Sequence, residues 1–287
     1  MKKLILAALF FASSSAQASV YVAAHADDVE LFMNESASTD VYHGARVVFI
    51  LTSAGDNGYG AGLGGNTLGI PYYRARLMAH ERAIRFWISL SGAHGVPTTD
   101  STMSVRGHQL ERADIANVSI INLNLPDGAA ADGKTLGALL AGRVSTLTSV
   151  DGRNTFTLAD LKATIREIIS TTHRGVNPVW VNFQNEDASI NLDDHGDHIA
   201  TGSIVATALS EAPSYACVGK VRYLDYVIGT LPENMTVAER NIHIGTWGAV
   251  NSGLFDAGNQ NNWADNHNVW LGRQYATGQN GSGSCNF

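Results

Sequence analysis

Five short runs rich in β-branched and aromatic residues, at 20–24, 46–51, 118–123, 179–183 and 221–228, alternate with longer stretches of helical patterning at 72–90, 158–173 and 198–209. That alternation constrains the fold more than any other feature. Strands separated by helices imply right-handed crossovers, hence an α/β protein with a mostly parallel sheet covered by helices on both faces. In such sheets ligands bind outside the carboxyl ends of the strands. The first four runs lead into His25-Ala26-Asp27-Asp28, Thr52-Ser53-Ala54-Gly55-Asp56, Leu125-Pro126-Asp127-Gly128 and Gln184-Asn185-Glu186-Asp187. Acidic residues from four strands thus meet at one rim, where a site is expected.

Local signals refine the pattern. Thr157 with Asp160 three residues on marks a helix start, as does the capping box Thr236 with Glu239. Residues 56–69 contain six glycines in fourteen positions, which suggests a flexible loop above the rim and a candidate lid. Residues 129–156 read as an insertion with a hairpin turn at Asp151-Gly152.

Lys2 and Lys3, an apolar run over residues 4–12 and the ending Ala16-Gln17-Ala18 make residues 1–18 a signal peptide. The run is shorter than the roughly 20 residues of a membrane-spanning helix. Residues 19–287 are then one exported domain without a membrane span, secreted or periplasmic. Losing Lys2 and Lys3 changes the formal net charge from −7 to −9, a poor match to nucleic acid or other polyanions. In an oxidising compartment the two cysteines, Cys217 and Cys285, are expected to pair.

A second polar cluster, Asp193-Asp194-His195-Gly196-Asp197-His198, leads into the helix at 198–209. Each cluster alone is a common surface turn. Together they supply His25, Asp28 and His198, a two-imidazole, one-carboxylate set suited to one catalytic zinc with a position left for water. Asp27, beside the ligand Asp28 but pointing elsewhere, is the expected general base. His195, as an imidazolium, is expected to stabilise an oxyanion and protonate a leaving amine. Asp197 and Asp194 are expected behind the histidines, orienting them. Asp56, Asp127 and the glycine-rich loop offer polar groups suited to sugar hydroxyls. Trp247, Trp263, Trp270 and His267 read as packing or surface residues.

In these motifs the chain resembles the PIG-L/LmbE-like family of zinc-dependent de-N-acetylases. The family's AHPDD stands as Ala24-His25-Ala26-Asp27-Asp28, and its HPDH as His195-Gly196-Asp197-His198, followed by Ala200-Thr201-Gly202. The likeness continues through LTSAGD, LNLPDG, TSVDGRNTFTLADL and WLGRQY and is closest to exported bacterial members. Ala26 and Val29 depart from the motif without removing a ligand. The resemblance implies a Rossmann-like three-layer sandwich, zinc on His25, Asp28 and His198, Asp27 as base, and His195 as the oxyanion-stabilising acid. It also implies an N-acetylated amino sugar or glycan as substrate, with acetate and a free amine as products. An arginine early in the helix after the second strand often contacts substrate in relatives; Arg74 and Arg76 both fit, and Arg74 is the assignment carried forward. The rivals are a metal-dependent phosphoesterase, which would need a second metal, and a glycan-binding protein without turnover, which would need neither Asp27 nor His195.

Overall fold

The computed structural model describes residues 18–260, 262–263, 266–285 and 287. The expected leader lies outside the described residues except for Ala18, which opens the first strand. In chain order the elements are β1 (Ala18–Ala23), α1 (Asp28–Phe32), α2 (Asn34–Tyr42), β2 (Arg46–Ser53), α3 (Tyr72–Leu90), β3 (Thr99–Val105), β4 (His108–Ile115), β5 (Val118–Leu125), α4 (Leu136–Leu140), β6 (Leu147–Thr148), β7 (Thr155–Phe156), α5 (Leu158–Thr172), β8 (Val179–Gln184), α6 (Gly196–Ser210), β9 (Gly219–Tyr223), α7 (Val237–Asp256) and β10 (Ala276–Asn280).

Eight strands form one sheet in the order β10-β9-β8-β1-β2-β5-β4-β3. The central five, β9, β8, β1, β2 and β5, are parallel. The β3–β4 hairpin and β10 extend the edges antiparallel. Both edges go beyond the sequence pattern. The run expected at 221–228 also ends early, at Tyr223, and turns at Asp225 into a 3₁₀ helix, Tyr226–Thr230.

Strict alternation along the buried strands splits the apolar residues between two layers. Tyr21, Val47, Phe49 and Ile120 face a core with α1, α2, α3 and α7, where Trp87 and Trp247 are fully buried. Val20, Val22, Val48 and Ile50 face the other, with α4, α5 and α6. The sandwich therefore has three layers. The expected caps are present: Thr157 accepts from the Asp160 amide at 3.1 Å, and Thr236 and Glu239 form the reciprocal box. Asp151 and Gly152 lie in the turn joining β6 and β7.

After β1 the chain builds outward through β2 and β5, then returns to the other side of β1 with β8 and β9. The order reverses at the β1–β8 crevice, where ligands are held in open α/β sheets. Gly202 lets α6 close onto that crevice: a Cβ at this position would lie 2.3 Å from the Gln184 carbonyl oxygen. The Thr52 and Thr201 hydroxyls, 2.7 Å apart, join the same helix to the end of β2.

Candidate metal centre and active site

Beyond β1 the backbone makes a tight turn before α1, and Asp28 closes it. Its Oδ2 accepts from the His25 amide at 2.7 Å and from Gln184 Nε2 at 3.0 Å, while Gln184 Oε1 accepts from the Ala24 amide at 2.9 Å. With Oδ2 so occupied, Oδ1 faces His25 Nδ1 at 3.4 Å and His198 Nε2 at 3.1 Å; those two nitrogens are 3.2 Å apart. The three residues come from the β1–α1 turn and the first turn of α6, and all are buried.

These distances test the fit to zinc. Donors 2.0–2.2 Å from a tetrahedral ion sit about 3.3–3.6 Å from one another, close to the triangle found here. Three acceptor atoms converging in the interior also require a cation or protons between them. Burial works against charge on His25, but the Asp28 charge and the hydrogen bonds to Asp197 and Asp28 together outweigh it and push the ring up to about 9. His198 is raised for the same first reason against the same burial penalty, whereas the two rings hold Asp28 well below the usual carboxylate range despite its burial. The three atoms thus converge on a position where positive charge is favoured.

Each imidazole is oriented from behind. His198 Nδ1 lies 2.7 Å from Asp194 Oδ1, which leaves Nε2 free to ligate. Asn191 donates to Asp194 at 2.7 Å and to Asp225 at 3.2 Å. Burial first, then Asp194 and Asp28, raise Asp225 well above the usual carboxylate range. His25 Nε2 faces Asp197 Oδ2 at 3.4 Å and Asp127 Oδ2 at 3.5 Å, and Asp197 in turn accepts from the Gly128 amide at 2.7 Å.

A cavity of about 310 Å³ opens over the cluster. Asp27, Arg76, Asp127 and His195 line it, and Asp27 forms an ion pair with Arg76, which also donates to the Gly55 carbonyl at 2.8 Å. His195, the N-cap of α6, accepts the Asp197 amide on Nδ1 at 3.3 Å. Burial lowers its pKa, and the positive His25 and His198 lower it further. With Nδ1 accepting that amide, Nε2 is the ring atom left to carry a hydrogen toward the cavity.

Other expected positions differ. Arg74 pairs with Glu111 and stacks on Tyr73, off the cavity, so Arg76 is the arginine on its wall. Asp56 is buried and braces two loops, accepting from the Asp127 amide at 2.9 Å and the Gly60 amide at 2.6 Å, and is not among the cavity-lining residues. The glycine-rich segment contributes Asn57 to the wall and is tied down at Asn66, which donates to the Ala257 carbonyl at 2.6 Å. The sequence reading missed the far wall. Tyr226 and Trp270 stack there with centroids 4.9 Å apart, beside Asn262 and His267.

The GlcNAc-PI de-N-acetylase family profile, PIG-L, matches residues 20–209, which include every ligand and base candidate above. No curated protein sequence matches the chain. Among solved structures it is similar to the deacetylase of the teicoplanin biosynthesis pathway in complex with teicoplanin, at 14% identity over 84% of this chain and 90% of that chain, with a TM-score of 0.50. It is also similar to the N,N'-diacetylchitobiose deacetylase of Pyrococcus horikoshii, at 14% identity over 89% and 73% of the two chains, TM-score 0.45. A 4-carboxy-2-hydroxymuconate hydratase from Pseudomonas putida KT2440 shows 12% identity over 88% and 81%, TM-score 0.43. By the profile match over most of its length, the chain belongs to the PIG-L, or GlcNAc-PI de-N-acetylase, family.

Proposed function

We propose that the protein is an exported, zinc-dependent hydrolase that removes the acetyl group from an N-acetylated amino sugar or glycan. The observation that carries this reading is the convergence of His25 Nδ1, Asp28 Oδ1 and His198 Nε2 within 3.1–3.4 Å beside Asp27, inside the family-matched span. Zinc held by these three residues would supply an activated water and polarise the acetamide carbonyl. Asp27 accepts the proton of the attacking water, and Arg76 fixes its carboxylate at the cavity wall. The Nε2–H of His195 donates to the developing oxyanion. The proton taken by Asp27 then serves the departing amine, so acetate and a free amino sugar leave. Asp127 and the stacked Tyr226–Trp270 pair orient the sugar: the carboxylate accepts from hydroxyls, and the rings offer an apolar face.

A phosphate ester fits the cavity less well. Among the described lining residues Arg76 is the one arginine or lysine, it is paired with Asp27, and Asp28 and Asp127 add negative charge. Export agrees with the Cys217–Cys285 disulfide, and none of the described helices is long and apolar enough to cross a membrane. The test is to incubate residues 19–287, with and without chelator and added zinc, with a panel of N-acetylated sugars and glycans while measuring acetate. Zinc-restored acetate release supports the reading; no release from any member at full zinc content overturns it.

A further inference from the structure

A second cavity, of about 420 Å³, lies on the α2 face of the sheet and shares no lining residue with the first. Its floor comes from three adjacent parallel strands, with Ser19 opposite Trp180 and Tyr21 opposite Asn182. At about 3.3 Å per residue, Tyr21 and Ser19 stand roughly 13 and 20 Å before His25 along β1. The cavity is thus too far from the metal centre to be part of it.

The chemistry of this floor is unusual for a sheet face that elsewhere packs apolar side chains. Ser19 is 1% exposed, lines the cavity, and its hydroxyl has no hydrogen-bond partner among the described residues. That hydroxyl is therefore available to a ligand's polar groups or to water within the cavity. Asn182, also buried, lies beside it in the next strand.

The rim is acidic. Glu35 and Asp40 project from α2, and no lysine, arginine or histidine is among the lining residues. Asp40 Oδ2 accepts the Tyr21 hydroxyl at 2.6 Å, and Glu35 Oε2 accepts from Gln274 Nε2 at 3.2 Å. The second oxygen of each carboxylate has no hydrogen-bond partner among the described residues. Burial, then Asp40, push the Tyr21 phenol up, so it stays a donor and adds no third negative charge. Two partly buried carboxylates without a counter-charge favour a cation.

The remaining wall is aromatic. Trp180 faces Gly219 across the β8–β9 pair, and a Cβ at Gly219 would lie 2.3 Å from its Cε3 atom. Absence of that atom lets the indole lie against the sheet as a broad, half-buried surface. A flat ring next to carboxylates and short hydroxyl and amide groups suits a ligand that is at once ring-shaped, polyhydroxylated and cationic.

We infer that this cavity is a second binding site, for a protonated amino sugar, with Trp180 against the sugar ring, Glu35 and Asp40 on the ammonium, and Ser19 and Asn182 on hydroxyls. That ligand is the product class of the proposed deacetylation, and the inference rests on that reading for the source of its ligand. Such a site would hold the enzyme on glycan it has already deacetylated.

Calorimetric titration of the zinc-loaded protein with glucosamine, and with glucose as the ammonium-free control, tests the inference in wild type, Trp180→Ala and Glu35→Gln/Asp40→Asn. Each variant should lose about tenfold or more in glucosamine affinity, the scale of one charge-assisted or ring contact, with zinc content and acetate release unchanged. Glucose should bind much more weakly. Trp180→Phe, which keeps an aromatic wall, should retain most of the affinity and guards against a folding defect in Trp180→Ala. Unchanged glucosamine affinity in both cavity variants, or glucose binding as well as glucosamine, overturns the site. Acetate release is read separately: if it is absent while binding still depends on Trp180, Glu35 and Asp40, the deacetylase reading falls and the second site stands.

Discussion

Gln184 is the residue through which the metal centre is built into the sheet, so its replacement is a sharp test of the geometry. It is fully buried at the end of β8, and its amide spans the β1–β8 crevice, accepting from the Ala24 amide at 2.9 Å and donating to Asp28 Oδ2 at 3.0 Å. Gln184→Leu removes both contacts. The stranded Ala24 amide costs about 1–3 kcal/mol and the charge-assisted bond to Asp28 about 1.5–3 kcal/mol, so roughly 2.5–6 kcal/mol is expected. At about 2–4 °C per kcal/mol for a chain of this size, the metal-free protein should melt on the order of 10 °C lower. Asp28, held on Oδ2 by the His25 amide alone, should then swing, and zinc affinity should fall about 10- to 100-fold, as when the outer partners of metal ligands are removed. Gln184→Glu isolates the metal effect, because it still accepts from Ala24 but presents an oxygen where Asp28 needs a donor. Zinc dissociation constants come from competition with a chelator, and melting is done without metal so that binding does not mask the loss. Zinc affinities within about twofold of wild type in both variants would refute the idea that Gln184 aims Asp28.

Arg76→Ala should reduce turnover at least about tenfold with zinc retained, since Asp27 loses its partner, whereas Arg74→Ala, off the cavity, should leave turnover near wild type; equal effects would dissolve the distinction. Burial lowers His173 and His243 from 6.5 to about 4, with Arg46 adding at His173, so the unfolded chain binds more protons between those values and stability falls as pH drops through that window. Each group should account for about 2 kcal/mol of the loss between pH 7 and 5, and urea unfolding of His173→Gln should show that much less acid sensitivity; parallel curves would contradict the assignment. The Cys217–Cys285 bridge, with a sequence separation of 68, should contribute about 4 kcal/mol in the chain-entropy picture, and peptide mapping should find no alkylatable thiol without reductant.

Much of this site was legible because its chemistry is local. His25, Asp27 and Asp28 follow one strand, Asp194, His195, Asp197 and His198 open one helix, and the rule for carboxyl ends of parallel strands brings the two together. Residues whose role depends on distant partners were harder to read. Gln184 is an ordinary polar residue until β8 is set beside β1, and Asp56 resembles a substrate contact until its two loops are in place. Tyr226 sat inside an expected strand; the chain instead turns at Asp225, which is hydrogen-bonded to Asn191, and sends Tyr226 to meet Trp270. The β3–β4 hairpin escaped notice because its exposed edge is largely polar and its turn, Arg106-Gly107 with φ of 52° and 86°, lacks the Asn-Gly or Asp-Gly signature.

The most direct test of the proposed chemistry separates two neighbours. Zinc content and acetate release are measured together in Asp27→Asn and Asp28→Asn. Asp28→Asn should lose most of its zinc, because a neutral amide is a weaker ligand than a carboxylate. Asp27→Asn should keep one zinc per chain, with turnover about 10²- to 10⁴-fold lower, the scale of general acid–base catalysis, and a nearly unchanged Michaelis constant. Near wild-type acetate release from Asp27→Asn at full zinc occupancy would contradict the account.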